Sequence, residues 1–168
     1  MSEFRTLPVE EAVAWIRAWT DHTWPITLQE ALAIRDDLGW KPLPEDDHYF
    51  ATELSVEGNW GGRISRSNEL GIKGVSFDLS APPSCELDEQ NFQASRRAYS
   101  QYVTELKKLW GSGRPGKNDF NSPQHHWKLP NKVSISITLT EPLIGIDIDS
   151  PWRTQISEEY DRAMEDYE

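Results

Sequence analysis

The clearest pattern in the chain is a two-residue alternation in its last quarter. Val133, Ile135, Ile137 and Leu139 alternate with Ser134, Ser136, Thr138 and Thr140; beyond Glu141 and Pro142, Ile144, Ile146 and Ile148 alternate with Gly145, Asp147 and Asp149. Successive strand side chains point to opposite faces, so each run has one apolar and one polar side, and the two read as an antiparallel hairpin turning at 141–142. Weaker strand patterns cover residues 48–56 and 72–79, the latter with Val75, Phe77 and Leu79 alternating with polar neighbours. Between them the glycines of GNWGGRISRSNELG predict a turn or an irregular hairpin.

Four stretches carry the helical period instead. Val9, Ala12, Val13, Ile16 and Trp19 share one face, with Pro8 suited to a first turn and Glu10 and Glu11 complementing the dipole there. Thr27 and Glu30 form a capping box ahead of a stripe of Leu28, Ala31, Leu32, Arg35 and Leu38 that Gly39 ends. Phe92, Tyr99, Tyr102, Val103, Leu106 and Leu109 mark a long helix over residues 88–110, stopped by Gly111. Ile156, Tyr160, Ala163, Met164 and Tyr167 make a narrow apolar stripe on an otherwise acidic final helix. The linker KPLPEDD, with two prolines and three acids, cannot be helical. Strands joined by hairpins pair antiparallel, so the expected fold is a single α+β domain over residues 1–168, an antiparallel sheet with helices packed mainly on one face.

WGSGRPGKNDF, residues 110–120, comes within one residue of a phosphate-binding loop: Gly111, Gly116 and Lys117 fit G-x-x-x-x-G-K-[ST] before Asn118 breaks it. A phosphate loop needs a strand leading in and a helix leading out, so that backbone N–H groups converge on the anion. Here a helix leads in, and Asn121, Ser122 and Pro123 follow, so the stretch reads as a helix stop and a connecting loop.

Composition adds a core and a field. Eight Trp, five Tyr and five Phe in 168 residues can fill a sizeable interior despite a low mean hydropathy. The single Cys85 has no partner for an internal disulfide, no apolar run approaches a membrane span, and the acidic start MSEFRTLPVEE lacks the features of a signal peptide, so the cytoplasm is expected. The net charge is −11, concentrated in residues 36–57 at −6 and residues 141–168 at −7, around a middle that is mildly basic. Such a field repels nucleic acid and anionic lipid and attracts basic proteins, so no nucleic-acid or membrane partner is expected.

Candidate chemistry is sparse. His125 and His126, adjacent on a strand, point to opposite faces and have no second ligand at metal spacing. Asp147 and Asp149 share a strand face within about 7 Å and, with Asp78, could hold a cation or act as acid and base, although carboxylates on a polar sheet face are commonly just solvated. Cys85 stands beside Glu86, Asp88 and Glu89, which oppose thiolate formation. Trp60 and Trp152 fall outside the periodic stripes and are candidates for exposed anchors. No catalytic, cofactor or metal residue is assigned.

WPITLQEALAIRDDLGW, VSFDLS and HHWKLPNKVSISITL resemble a family of small uncharacterised bacterial proteins, found mainly in high-GC Gram-positive species and grouped with the immunity proteins of polymorphic toxin systems. The resemblance covers most of the chain and carries no catalytic residue. It implies a cytoplasmic protein that binds and blocks a cognate toxin; the acidic blocks fit a basic toxin, with Asp147, Asp149, Trp152, Glu158, Glu159 and Asp161 as the expected contact residues. The alternatives are a small metal-dependent hydrolase built on Asp147 and Asp149, and a general acidic adaptor.

Overall fold

A computed structural model of the chain describes residues 5–55, 61–65, 67–81, 89–140 and 142–165. Trp60, Cys85 and Glu141 lie outside them, as does Tyr167. The elements run α1 (Val9–Thr20), α2 (Leu28–Asp37), β1 (Lys41–Pro42), β2 (Tyr49–Ala51), β3 (Gly62–Ile64), β4 (Ser67–Asn68), β5 (Gly71–Ile72), β6 (Gly74–Asp78), α3 (Glu89–Trp110), β7 (Arg114–Lys117), β8 (Pro123–Lys128), β9 (Ser134–Thr140), β10 (Leu143–Asp149) and α4 (Pro151–Glu165). Eight strands form one antiparallel sheet in the order β1-β2-β3-β6-β10-β9-β8-β7, and β4 and β5 pair by themselves. This is the expected α+β domain.

The hairpin of alternating residues is β9 and β10, in register from Leu143 opposite Thr140 to Asp149 opposite Ser134. Ile135, Ile137, Leu139, Ile144, Ile146 and Ile148 are all buried, so the alternation does separate core from surface. Helix α3, at 22 residues about 33 Å long, carries the chain across the apolar face from β6 at the centre to β7 at the edge. From there β7, β8, β9 and β10 return inward, and β10 closes against β6 with Ile146 opposite Phe77. Tyr102 fixes the helix to that closure: its hydroxyl donates to the carbonyl of Leu7 at 2.6 Å, and Leu7 in turn donates its N–H to Leu79 at 3.0 Å. Burial pushes the Tyr102 phenol up to about 12.

The centre of the core is aromatic. Trp40 leaves α2 through Gly39, whose φ of 80° suits a glycine stop, and stacks on Phe50 with ring centroids 4.5 Å apart. Its ring also meets Trp15 at 5.1 Å, Phe77 at 5.2 Å and Trp19 at 6.1 Å, joining α1, β2 and β6 in one cluster. Gly62 makes room for it, since a Cβ there would stand 2.6 Å from the Phe50 ring and 2.4 Å from the Ser76 carbonyl. The capping box of α2 is present, with Glu30 N–H donating to the Thr27 hydroxyl at 3.1 Å and Thr27 N–H to the Glu30 carboxylate at 3.1 Å. Arg35 of that helix is buried, and its guanidinium donates to Asp36 and to the Asp47 carbonyl, tying the acidic linker to α2.

Four local expectations need correction. Among the described residues of the stretch 48–56 only Tyr49–Ala51 is strand, and the glycine-rich segment contributes β3 to the main sheet besides the β4–β5 hairpin. In α3 Tyr102, Val103 and Leu106 of the expected stripe are buried, but Ser95 and Ala98 join them in the buried face while Leu109 is exposed. Residues 114–117 are an edge strand rather than a loop, and β7 escapes a pattern search because Arg-Pro-Gly-Lys has neither alternation nor strand propensity. Finally, α4 does not bury its apolar stripe.

Isoleucine to alanine at 135 or 146 should cost about 2–5 kcal/mol in denaturant unfolding, whereas Thr140→Ala on the polar face should stay within about 0.5 kcal/mol. The glycines give a sharper contrast. Gly62→Ala should destabilise by about 1–3 kcal/mol through the clash with Phe50 and Ser76, while Gly116→Ala, where a Cβ meets nothing within 4 Å, should be nearly neutral. Equal losses at the two glycines would refute the close-approach account.

Candidate functional site

The polar side of the alternation forms a continuous floor across the sheet. Register places Tyr49, Arg63, Ser76, Asp147, Ser136, His126 and Arg114 in a single row over β2, β3, β6, β10, β9, β8 and β7. Ser76 donates to the Asp147 carboxylate at 2.6 Å, and His126 Nδ1 lies 2.9 Å from the Ser136 hydroxyl. One row over, Asp78 faces Gly145, and Gln124 donates to the Thr138 hydroxyl at 3.1 Å. On the other side Asp149 faces Ser134, which meets the Thr154 hydroxyl of α4 at 2.8 Å.

Helix α4 is held over one end of this floor by a buried serine. Ser150 Oγ accepts the N–H of Arg153 at 3.2 Å, its carbonyl accepts that of Thr154 at 3.0 Å, and its own N–H donates to the Lys73 carbonyl at 2.8 Å. With Pro151 opening the helix, this is an ordinary Ser-Pro start. The consequence is an inverted helix: Thr154 and Glu158 turn toward the polar sheet face, Lys128 of β8 donates to Glu158 at 2.6 Å, and Ile156, Tyr160 and Met164 stand 48%, 64% and 52% exposed.

The expected contact residues therefore divide. Asp147 and Asp149 lie on the sheet floor, as the strand spacing implied, and the pairing of β10 with β6 brings Asp78 near Asp147. Glu158 and Asp161 line a cleft of about 320 Å³ with Asp149, Arg114, His126 and Lys128. Glu159 is exposed on the far side of α4, and Trp152 is half-buried at its start, its indole N–H enclosed without a hydrogen-bond partner among the described residues. Trp152 is thus less available as an anchor than its place in the sequence suggests. Arg63, Lys73, Arg114, Lys128 and Arg153 also reach the floor or its walls, so the acidic block faces cations that its local charge does not reveal.

Electrostatics on the floor follow from burial. Asp78 is pushed up to about 6, first by burial and then by the neighbouring Asp147 charge. Asp149 is raised by burial and by Asp147, with Arg153 and Lys73 opposing the shift. Burial, then Arg114, Lys128 and His125, hold His126 below its ordinary value, so it is neutral near pH 7. The opposite-facing His125 is a core residue: its Nε2–H donates to the Ser112 carbonyl at 2.6 Å and its ring lies 4.5 Å from that of Trp127.

The chemistry open to these groups is limited by where they stand. Ser136 and His126 resemble a nucleophile and base, a pairing the sequence did not suggest. They sit in the middle of paired strands, however, where the backbone N–H groups are engaged in the ladder and cannot form an oxyanion hole. The near-phosphate loop has another purpose. Gly111 (φ 91°) ends α3, its carbonyl accepts the Trp127 indole N–H at 3.0 Å, and at Gly113 a Cβ would stand 2.6 Å from that indole nitrogen. Among the described residues, a metal-like grouping occurs at Asp46, Asp47 and His48, whose ligand atoms lie within 4.8 Å of one another on the exposed linker. Beside Asp149, the Lys73 and Arg153 cations disfavour a divalent ion.

Folding favours the protonated form of Asp78, because its folded value lies above the ordinary 3.8. Its contribution is therefore present at low pH and is lost as pH rises through about 6, a loss of about 1–3 kcal/mol between about pH 4 and pH 7. Asp78→Asn should remove that slope and raise the melting temperature at pH 7. Asp147→Asn should lower the titration midpoint of Asp78, measured on its carboxyl carbon by NMR; an unmoved midpoint would remove Asp147 as a cause.

No helix among the described residues is long and apolar enough to cross a membrane. Neither a curated protein nor a solved structure matches the chain. One protein family does, described as a family of unknown function (DUF6301), and its match runs from residue 10 to residue 150, from the first turns of α1 through the whole sheet to the start of α4. By that match the chain belongs to the DUF6301 family.

Proposed function

We propose that this protein is an inhibitor that binds another protein, an immunity protein that neutralises a basic toxin domain, and that α4 is its principal contact. The observation that carries this reading is the orientation of that helix. A helix packed on a protein normally turns its apolar stripe inward. Here the polar side is tethered to the sheet through Ser150, Thr154 and Glu158, and Ile156, Tyr160 and Met164 are left in solvent. Contiguous exposed apolar side chains rimmed by charge characterise protein-binding surfaces. Glu159 and Glu165 are also exposed on α4, within a chain of net charge −11, and this charge favours a basic partner over a second copy of the same chain.

This reading moves the contact from the set expected from sequence. Glu159 stays in it and Tyr160 takes the place of Trp152 as the aromatic anchor. Asp147 and Asp149 belong to the sheet floor, where cations accompany them.

If an adjacent gene encodes a toxin domain, co-expression with it should rescue cell growth, and the purified pair should associate faster at low salt than at high salt. Ile156→Ser with Tyr160→Ser, both at exposed positions, should leave the melting temperature unchanged and weaken the complex by about 2 kcal/mol or more. Glu159→Gln with Glu165→Gln should act chiefly on the association rate. A wild-type protein that neither rescues growth nor forms a complex at low salt would sink the proposal; full rescue by the double serine variant of Ile156 and Tyr160 would remove α4 from the interface.

A further inference from the structure

Three cations from three separate elements converge on the polar floor. Arg63 stands on β3, Lys73 on the link between β5 and β6, and Arg153 in the first turn of α4; with Asp147 and Asp149 of β10 and Gln124 of β8 they surround a cavity of about 370 Å³. Several other cations of the chain are matched to nearby acids, Arg5 with Glu53, Arg17 with Asp21, Arg35 with Asp36, Lys108 with Glu105 and Lys128 with Glu158, while among the described residues Lys41, Lys107, Lys117 and Lys132 have no such match; what sets Arg63, Lys73 and Arg153 apart is the cavity they share. These three close no ion pair among the described residues, although acids outnumber bases in the chain by 28 to 17.

The arrangement is also prebuilt. Ser150 joins two of the cation-bearing segments, donating its N–H to the Lys73 carbonyl at 2.8 Å while its hydroxyl accepts the Arg153 N–H at 3.2 Å. Arg63 stands directly opposite Ser76 in the ladder, and Ser76 holds the Asp147 carboxylate at 2.6 Å. The backbone under all three cations and both carboxylates is therefore held before any ligand arrives, which lowers the ordering cost of binding.

We infer that this cavity binds a small zwitterion of the α-amino-acid class. An anion alone would satisfy Arg63, Lys73 and Arg153 but would be repelled by Asp147 and Asp149; a cation alone meets the converse difficulty. A molecule carrying both charges a few ångströms apart satisfies both sets, its carboxylate accepting from the cations and its ammonium donating to the aspartates. Gln124 and Ser136 supply neutral donors and acceptors on the floor. The volume lies near the lower end of the range of small-molecule sites, about 300–1,000 Å³, which suits a single amino acid better than a peptide. The site lies on the sheet face and does not depend on a protein partner at α4.

The test is calorimetry and thermal unfolding of the full chain against the L-α-amino acids, with acetate, methylammonium and inorganic phosphate as single-charge probes. At least one amino acid should bind saturably at millimolar concentration or below and raise the melting temperature, and the single-charge probes should not. Arg153→Gln and Asp147→Asn should each weaken that binding about tenfold. Lys73→Gln, outside both α4 and the sheet, provides the same test should Arg153→Gln loosen the helix. On titration the amide signals of Asp147 and Ser136 should shift while those of Tyr160 and Met164 do not. Absence of binding by every amino acid overturns the inference, as does equal binding of acetate or phosphate, or unchanged affinity in the variants.

Discussion

The structure depends on the room made for Trp40. This ring stacks on Phe50, meets Trp15 and Trp19 from α1, and touches Phe77 in β6, so one side chain joins two helical segments to two strands that are distant in sequence. The stack is possible because Gly62, between Phe50 and Phe77 in the ladder, has no Cβ to collide with the Phe50 ring. Aromatic side chains of this size bury about 150–250 Å² each, so a cluster of five accounts for a large share of the hydrophobic stabilisation available to a chain of low mean hydropathy. The cluster also sets the level at which β2 and β3 lie against β6, and so where Arg63 stands on the opposite face.

That opposite face follows from the same alternation that builds the core. Each isoleucine of β9 and β10 that enters the interior turns a serine, threonine or aspartate to the other side, and pairing of β10 with β6 aligns those residues into rows. A sheet covered on one side by α1 and α3 would ordinarily leave such a face to water. Here Ser150 turns the chain immediately after β10, and hydrogen bonds and an ion pair tie α4 to the polar rows. Two surfaces result from this single device: a charged cavity between helix and sheet, and an outward apolar stripe. Because α4 is held at its first turns, residues 159–165 are all exposed.

Local physics was legible in the residues themselves. The hairpin of β9 and β10, the capping box at Thr27 and Glu30, and the helix stops at Gly39 and Gly111 follow from preferences that act over a few residues, and each stands where the pattern put it. The rejection of a phosphate loop at residues 111–117 was legible too, since it needed only the order of elements. Where local preference was weak the pattern lost sight of the chain. Arg-Pro-Gly-Lys became β7 because β8 offered it an edge, and Gly62–Ile64 became a central strand because β6 and β2 flank it.

By itself, then, the sequence determined which side of each strand and helix is apolar, where helices start and stop, and that one sheet backs a core of tryptophan and isoleucine. Tertiary structure alone decided which faces meet. The period of α4 marks its apolar stripe, yet the stripe is exposed, because the surface available to the helix after Ser150 is the polar one and Thr154 and Glu158 find partners there. The 141–168 segment is acidic along the chain, but its Asp147 and Asp149 lie beside Lys73 and Arg63 in space and its Glu158 beside Lys128. The His126–Ser136 pair and the Asp78–Asp147 neighbourhood likewise join residues 10 and 69 positions apart. Periodicity reports the direction of a side chain relative to its own backbone; charge balance and site composition depend on the neighbours that long-range strand pairing brings, and that information is not present in any local window.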